Sequence, residues 1–129
     1  MKLLDTSVAV DYLRGHVAAA ELLDSIVIAD EPLAASELTR FELLAGARDG
    51  EYEQLESFCL ALDWIPVNEE IARRAGGYAR SYHRSHSGIG VVDYLLAGTA
   101  AALGAELLTT NVRHFPMFGE LRAPYSYAT

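Results

Sequence analysis

Four short apolar runs, Lys2 to Leu4, PLAAS at 32–36, Trp64 to Val67 and AELLTT at 105–110, are separated by long stretches with helical periodicity. This spacing is the strongest constraint on the fold. Strands so far apart in sequence cannot be joined as tight hairpins, so the economical arrangement is a parallel sheet with helices on both faces. The expected helices run from Ser7 to Arg14, Val17 to Ser25, Ser36 to about Gly46, Glu51 to Leu60, Asn68 to about Ser85 and Val92 to Leu103. Ser36 and Asn68 are placed to cap theirs, Gly76-Gly77 weakens the fifth, SGIG separates it from the sixth, and Gly104 ends the sixth. No repeat or linker is visible, and 129 residues suit one domain spanning 1–129.

An apolar fraction of 51% excludes a disordered or fibrous chain. No apolar run reaches the length of a membrane span, and Asp5 and Asp11 interrupt the stretch where a signal peptide would be apolar, so a soluble, cytoplasmic protein is expected, with no membrane partner. The lone Cys59, between Phe58 and Leu60, excludes an internal disulfide and reads as a buried thiol. A net charge of −8 argues against general nucleic-acid affinity unless cations intervene. The charge is uneven: residues 21–56 hold ten acids against Arg40 and Arg48, whereas IARRAGGYARSYHRSHSG holds Arg73, Arg74, Arg80 and Arg84 and no acid.

In open parallel sheets the working site lies beyond the carboxyl ends of the strands, where Asp5 and Asn111 fall. Two further acids stand on helices that pack there. Glu42 shares a face with Leu38, Ala45 and Gly46, flanking a stripe that also takes Phe41, while Glu37, Arg40 and Arg48 occupy the polar side. Asp93 precedes a run of small residues, Ala97, Ala100 and Gly104, which suits close packing and would bring the first-turn acid to the strand ends. Each acid also has a local explanation: Asp5 as an N-cap, Asp93 as a first-turn acid favoured by the helix dipole, Glu42 as a half-exposed partner of an arginine. Three acids in one crevice repel one another, and a hard divalent cation with oxygen ligands offsets the repulsion. Carboxylates without His or Cys beside them in sequence favour Mg2+ or Mn2+ over zinc; His83 and His86 form a weak rival pair.

The opening, with Asp5 after the first strand, also resembles receiver domains and aspartate-nucleophile phosphatases. Both need a late lysine, and the only lysine is Lys2; the phosphatases want a second Asp where Ser7 stands. What remains is metal-assisted hydrolysis of a phosphodiester.

LLDTSVAVDYL, SELTRFELLAGA, GIGVVDYLLAGTAAALGAELLTTNVRHF and the closing FPMFGELRAPY, in that order and spacing, resemble the PIN-domain ribonucleases, and within them the VapC-type toxins of prokaryotic toxin–antitoxin pairs. The resemblance covers nearly the whole chain. It implies a three-layer α/β fold with a four- or five-stranded parallel sheet, a Mg2+-dependent endoribonuclease (Mn2+ as substitute), an RNA substrate, a homodimer, and an antitoxin whose peptide covers the crevice. Asp5, Glu42 and Asp93 match the family's three acidic metal positions. Where many PIN domains carry a fourth acid this chain has Asn111, which can hydrogen-bond water or phosphate but adds no charge, so one well-held ion is expected. Thr6, Ser7 and Thr110 either orient ligands through their hydroxyls or serve as ordinary caps. Arg73, Arg80 and Arg84 share a helical stripe. With Arg113 they either hold RNA, Tyr78 or Tyr82 stacking on a base, or form a solvated face or ion pairs with a neighbouring subunit. The competing functional class is a PIN-like module that binds RNA or protein without cleaving.

Overall fold

The computed structural model describes residues 1–127. Four strands, β1 (Lys2–Leu4), β2 (Leu33–Ser36), β3 (Asp63–Ile65) and β4 (Glu106–Leu108), form one parallel sheet in the order β3-β2-β1-β4. Six helices connect and cover them: α1 (Thr6–Leu13), α2 (Val17–Ile28), α3 (Glu37–Gly46), α4 (Tyr52–Cys59), α5 (Glu69–Tyr82) and α6 (Val91–Leu103). A 3-10 turn at Val112–His114 follows β4. Among the described residues the sheet has four strands and no fifth.

The three-layer arrangement follows from the period of two along each strand. Leu4, Ala35 and Leu108 point into a core with Val8, Ala9, Leu23, Leu43 and Leu55 from α1 to α4. Their neighbours Leu3, Ala34 and Leu107 point to the other face, against Leu96, Ala97 and Ala100 of α6 and Phe115. Cys59 is buried in the first core, as its apolar flanks suggest. Ser36 caps α3 by accepting from Leu38 N–H, and Asn68 caps α5 by accepting from Ile71 N–H. Gly104 closes α6 in the left-handed region at φ 62°. It serves as a cap and is exposed, so it is not part of the packing face proposed for it with Ala97 and Ala100.

Several boundaries differ from the sequence expectation. α2 runs on to Ile28, past Ser25, because Ile26 is drawn into the first core while Val27 and Ile28 stay exposed. α5 stops at Tyr82, and a turn bonded from Ser85 and His86 N–H to Tyr82 O replaces its last residues, leaving Arg84 outside the helix. β4 stops at Leu108, which frees Thr109 and Thr110 from the ladder for other work. The close contact in α6 is at Gly98, where an added Cβ would lie 2.6 Å from Ile71 O and 3.0 Å from Ala75 N. α5 and α6 touch backbone to backbone there.

Candidate functional site

The site starts at the ends of the two central strands. Asp5 N–H donates to Leu108 O at 2.9 Å, so the pairing of β1 with β4 holds the Asp5 backbone. Its carboxylate is buried and satisfied on both oxygens: Oδ1 accepts from Thr6 N–H (2.7 Å), and Oδ2 accepts from the hydroxyls of Thr109 (2.6 Å) and Ser7 (3.1 Å). The two hydroxyls are themselves fixed, since Ser7 Oγ accepts from Thr110 N–H and Thr109 Oγ1 from Asn111 N–H. Burial nevertheless pushes the Asp5 carboxyl above its ordinary value of 3.8, with the nearby Asp93 charge adding to the rise and the three donors opposing it. The stabilisation from a protonated Asp5, present below its unfolded pKa, is lost as pH rises through the raised folded value; above that window the carboxylate is an under-compensated charge.

Glu42 reaches the same place from α3, where its Oε1 accepts from the Thr6 hydroxyl at 2.6 Å. The reason is not the one expected. Phe41, read as sharing an inward stripe, is 67% exposed, Ala45 and Gly46 are exposed, and α3 buries Thr39 and Leu43 instead. Glu42 therefore lies half-buried at the margin of the helix, partnered by a hydroxyl and not an arginine. Asp93, in the first turn of α6, accepts from Gly90 N–H at 3.2 Å and has His114 Nδ1 3.2 Å away. The local explanations for Asp5 and Asp93 thus hold, Asp5 capping α1 and Asp93 bonding back from the first turn of α6 to the Gly90 N–H, and both residues line a common hollow.

That hollow is an open cavity. Its walls carry Asp5, Glu42 and Asp93 together, the hydroxyls of Thr6, Ser7 and Thr110 above them, and Asn111, exposed, at the rim. Val10, Asp11, His114 and Tyr127 complete the wall. Among the described residues no lysine or arginine lines it. Nor do any three carboxylate, imidazole or thiolate groups among them converge closely enough to ligate one ion as they stand. The donor chemistry nonetheless fits a hard divalent cation: four carboxylates, several neutral oxygens, a single imidazole and no thiolate, with one buried carboxylate whose charge the protein's own donors do not fully offset.

The other candidates fall elsewhere. Arg80, Arg84 and Arg113 are exposed and are not among the cavity walls. Arg73 and Arg74, in a stretch with no acid of its own, pair one turn back with Glu69 and Glu70, which lowers the free positive charge of the strip. Tyr78 is packed edge-on against Phe118 in the second core and is not free to stack on a base; Tyr82 lies against His86. The His83 and His86 rings turn to Ala79 O and Ser85 Oγ, not to each other. Sequence reasoning missed Thr109, Asp11, His114 and Tyr127. The first had a signal, a threonine doublet directly after an apolar strand; the others come close only through the fold.

A model of the PIN domain matches residues 2–119. The chain belongs to the PIN-domain family. Its relatives in that family include Ribonuclease VapC19 of Mycobacterium tuberculosis, 58% identical over 125 residues, covering 97% of this chain and all of that protein. Ribonuclease VapC10 of the same organism is 43% identical over 98% of this chain and 94% of its own. The PIN fold also superposes on a chain of a toxin–antitoxin complex from Klebsiella pneumoniae with a TM-score of 0.79 at 25% identity, covering 97% and 98% of the two chains.

Proposed function

We propose that this PIN-domain protein is a divalent-metal-dependent endoribonuclease, with Mg2+ as the working ion, and the toxic member of a toxin–antitoxin pair. The observation that carries the reading is the gathering of Asp5, Glu42 and Asp93 on one open cavity at the carboxyl ends of β1 and β4. Full-length relatives named as ribonucleases support the reaction, and the toxin–antitoxin complex of similar fold supports an antitoxin partner, which in this proposal covers the cavity. A homodimer and a cytoplasmic location belong to the same proposal.

Asp5, Glu42 and Asp93 are the ligands. A divalent ion held by them supplies positive charge for the pentavalent transition state and favours ionisation of an attacking water. The protein's own part is positional. Thr109 and Ser7 fix the Asp5 carboxylate, and the Thr6 hydroxyl holds Glu42 at the cavity wall, from which it would serve as a ligand. His114 lies beside Asp93 with its Nδ1 3.2 Å from Oδ2, and Asn111 offers an uncharged amide to water or phosphate.

Thermal unfolding with and without Mg2+ tests ion binding apart from catalysis. Asparagine at position 5 can keep an acceptor on Thr6 N–H while its amide donates to the Ser7 and Thr109 hydroxyls, which turn to accept. Without Mg2+, Asp5→Asn should be at least as stable as the wild type at neutral pH, since it removes a charge that burial disfavours. With Mg2+ at about 100 times its dissociation constant the wild type should gain about 2.7 kcal/mol and the variant nothing comparable. Equal gains in both would place the ion elsewhere. Cleavage of structured RNA in Mg2+, abolished by EDTA, tests the reaction itself.

Arg80, Arg84 and Arg113 serve, in this proposal, to hold the RNA backbone outside the cavity. Arg80→Ala combined with Arg84→Ala should weaken RNA binding and reduce the slope of affinity against salt by up to about two released counterions. Unchanged cleavage and unchanged salt dependence would make the strip an ordinary solvated surface.

A further inference from the structure

The cavity poses a recognition problem, for its walls present Asp5, Asp11, Glu42 and Asp93 and, among the described residues, no lysine or arginine. An ion can balance the carboxylates, but among the described residues the wall offers the nucleotide no lysine or arginine. What it can touch is the Val10 side chain, the hydroxyls of Thr6, Ser7 and Thr110, the Asn111 amide, the His114 ring, which lies beside Asp93, and the one tyrosine of the wall, Tyr127.

Tyr127 is unusual in being both exposed and fixed. The side chain is 59% exposed, yet its hydroxyl donates to Asp11 Oδ2 at 2.5 Å and lies 3.4 Å from Thr110 Oγ1. The hydroxyl of Tyr125 donates to the same Asp11 oxygen at 2.6 Å. His16 backs the pair, stacked on Tyr125 (5.1 Å) and edge-on to Tyr127 (5.3 Å), and the two tyrosine rings stand at 90° to each other. A surface tyrosine ordinarily samples several rotamers; clamping its far end removes that freedom before any ligand arrives, which lowers the cost of using the ring as a contact. Asp11, otherwise a fourth repulsive charge facing the phosphodiester, is the clamp.

We propose that Tyr127 is a substrate-contacting residue, its ring held by Asp11 at the rim of the carboxylate cavity as a surface on which a base of the bound RNA stacks. Asp11 is a positioning residue in this scheme, and Tyr125 and His16 support it. The proposal rests on the nuclease reading above and adds to it where the nucleotide is gripped.

The test is an anisotropy titration of a short, labelled, mixed-sequence single-stranded RNA. Ca2+ replaces Mg2+, since it is a larger ion that relaxes the octahedral geometry cleavage needs. Tyr127→Ala should weaken binding by about tenfold, the scale of one base–aromatic stack. Tyr127→Trp should restore it, and Tyr127→Phe, which keeps the ring and loses the clamp, should fall between. Asp11→Ala separates two ideas by sign. Removing a negative charge beside RNA strengthens binding on electrostatic grounds, whereas releasing the ring weakens it; tighter binding would overturn the positioning role. Equal affinity of wild type and Tyr127→Ala overturns the contact. Wild-type protein that binds this RNA but cleaves none in Mg2+ overturns the nuclease reading and leaves the ring comparison intact; wild-type protein that binds no RNA overturns both.

Discussion

Asp5→Ala should reduce kcat/KM for RNA cleavage by roughly 10²- to 10³-fold, the scale on which a single electrostatic stabiliser of a charged transition state contributes. The position is central for two reasons. It is the buried member of the acidic set, with its charge least diluted by water, and it is the only one bonded to both strand ends and to α1. Alanine would also leave the Thr6 N–H and the Thr109 and Ser7 hydroxyls short of an acceptor, a loss of about 1–3 kcal/mol per unsatisfied buried group. The isosteric Asp5→Asn is therefore the necessary companion. Both variants should show a loss of activity of that order, but only the alanine variant should melt early. Full activity in a folded Asp5→Asn protein would remove this carboxylate from the mechanism.

Gly98→Ala should be damaging, since among the glycines only Gly98 would place an added methyl group against neighbouring backbone. The new Cβ would sit 2.6 Å from Ile71 O, 3.0 Å from Ala75 N and 3.2 Å from Ala75 Cβ, and backbone atoms cannot rotate out of the way as a flexible side chain would. Overpacking of this kind costs about 1–3 kcal/mol, against about 1 kcal/mol gained from alanine's better helix propensity. With contact at backbone distance the penalty should prevail, lowering the melting temperature by several degrees, at about 3–5 °C per kcal/mol for a chain of this size. Activity should fall too, because separating α5 from α6 moves the helix that carries Asp93. Gly76→Ala and Gly77→Ala are the contrast: both glycines lie inside α5 with nothing within 4 Å of an added Cβ, so each should stabilise by roughly 0.5–1 kcal/mol. Differential scanning calorimetry on the three variants decides the matter. A Gly98→Ala protein as stable as those two would mean the helices can part freely.

The layers were legible because they depend on local rules. Leu3 and Leu4 alternate faces as any strand must, Ser36 and Asn68 cap as their side chains allow, and Asp5 follows a strand in the place where parallel sheets expose their working ends. The reading of Glu42 placed it at the cavity, where it lies, but by a partly wrong route. Helical periodicity shows which residues share a face, but not how far round the helix the core extends, and on α3 it stops short of Phe41. Tyr78 and Tyr82 look equivalent in sequence; Phe118, some forty residues on, buries one of them. Arg84 was placed on a helical wheel that ends two residues before it. Thr109, His114 and the Asp11–Tyr127 clamp join segments far apart in the chain, and no local period carries that information.

The strand order carries a consequence for synthesis. β1, the first strand made, lies between β2 and β4, and its second neighbour is among the last elements to emerge from a ribosome. A nascent polypeptide can present Asp5 and Glu42 early, but Asp93, and then the Leu108 carbonyl and Thr109 hydroxyl that seat Asp5, arrive only after most of the message has been read. On the proposed reading the metal site is thus completed late, when the far strand closes beside the first, and a chain that ends before Asp93 lacks one of its three ligands.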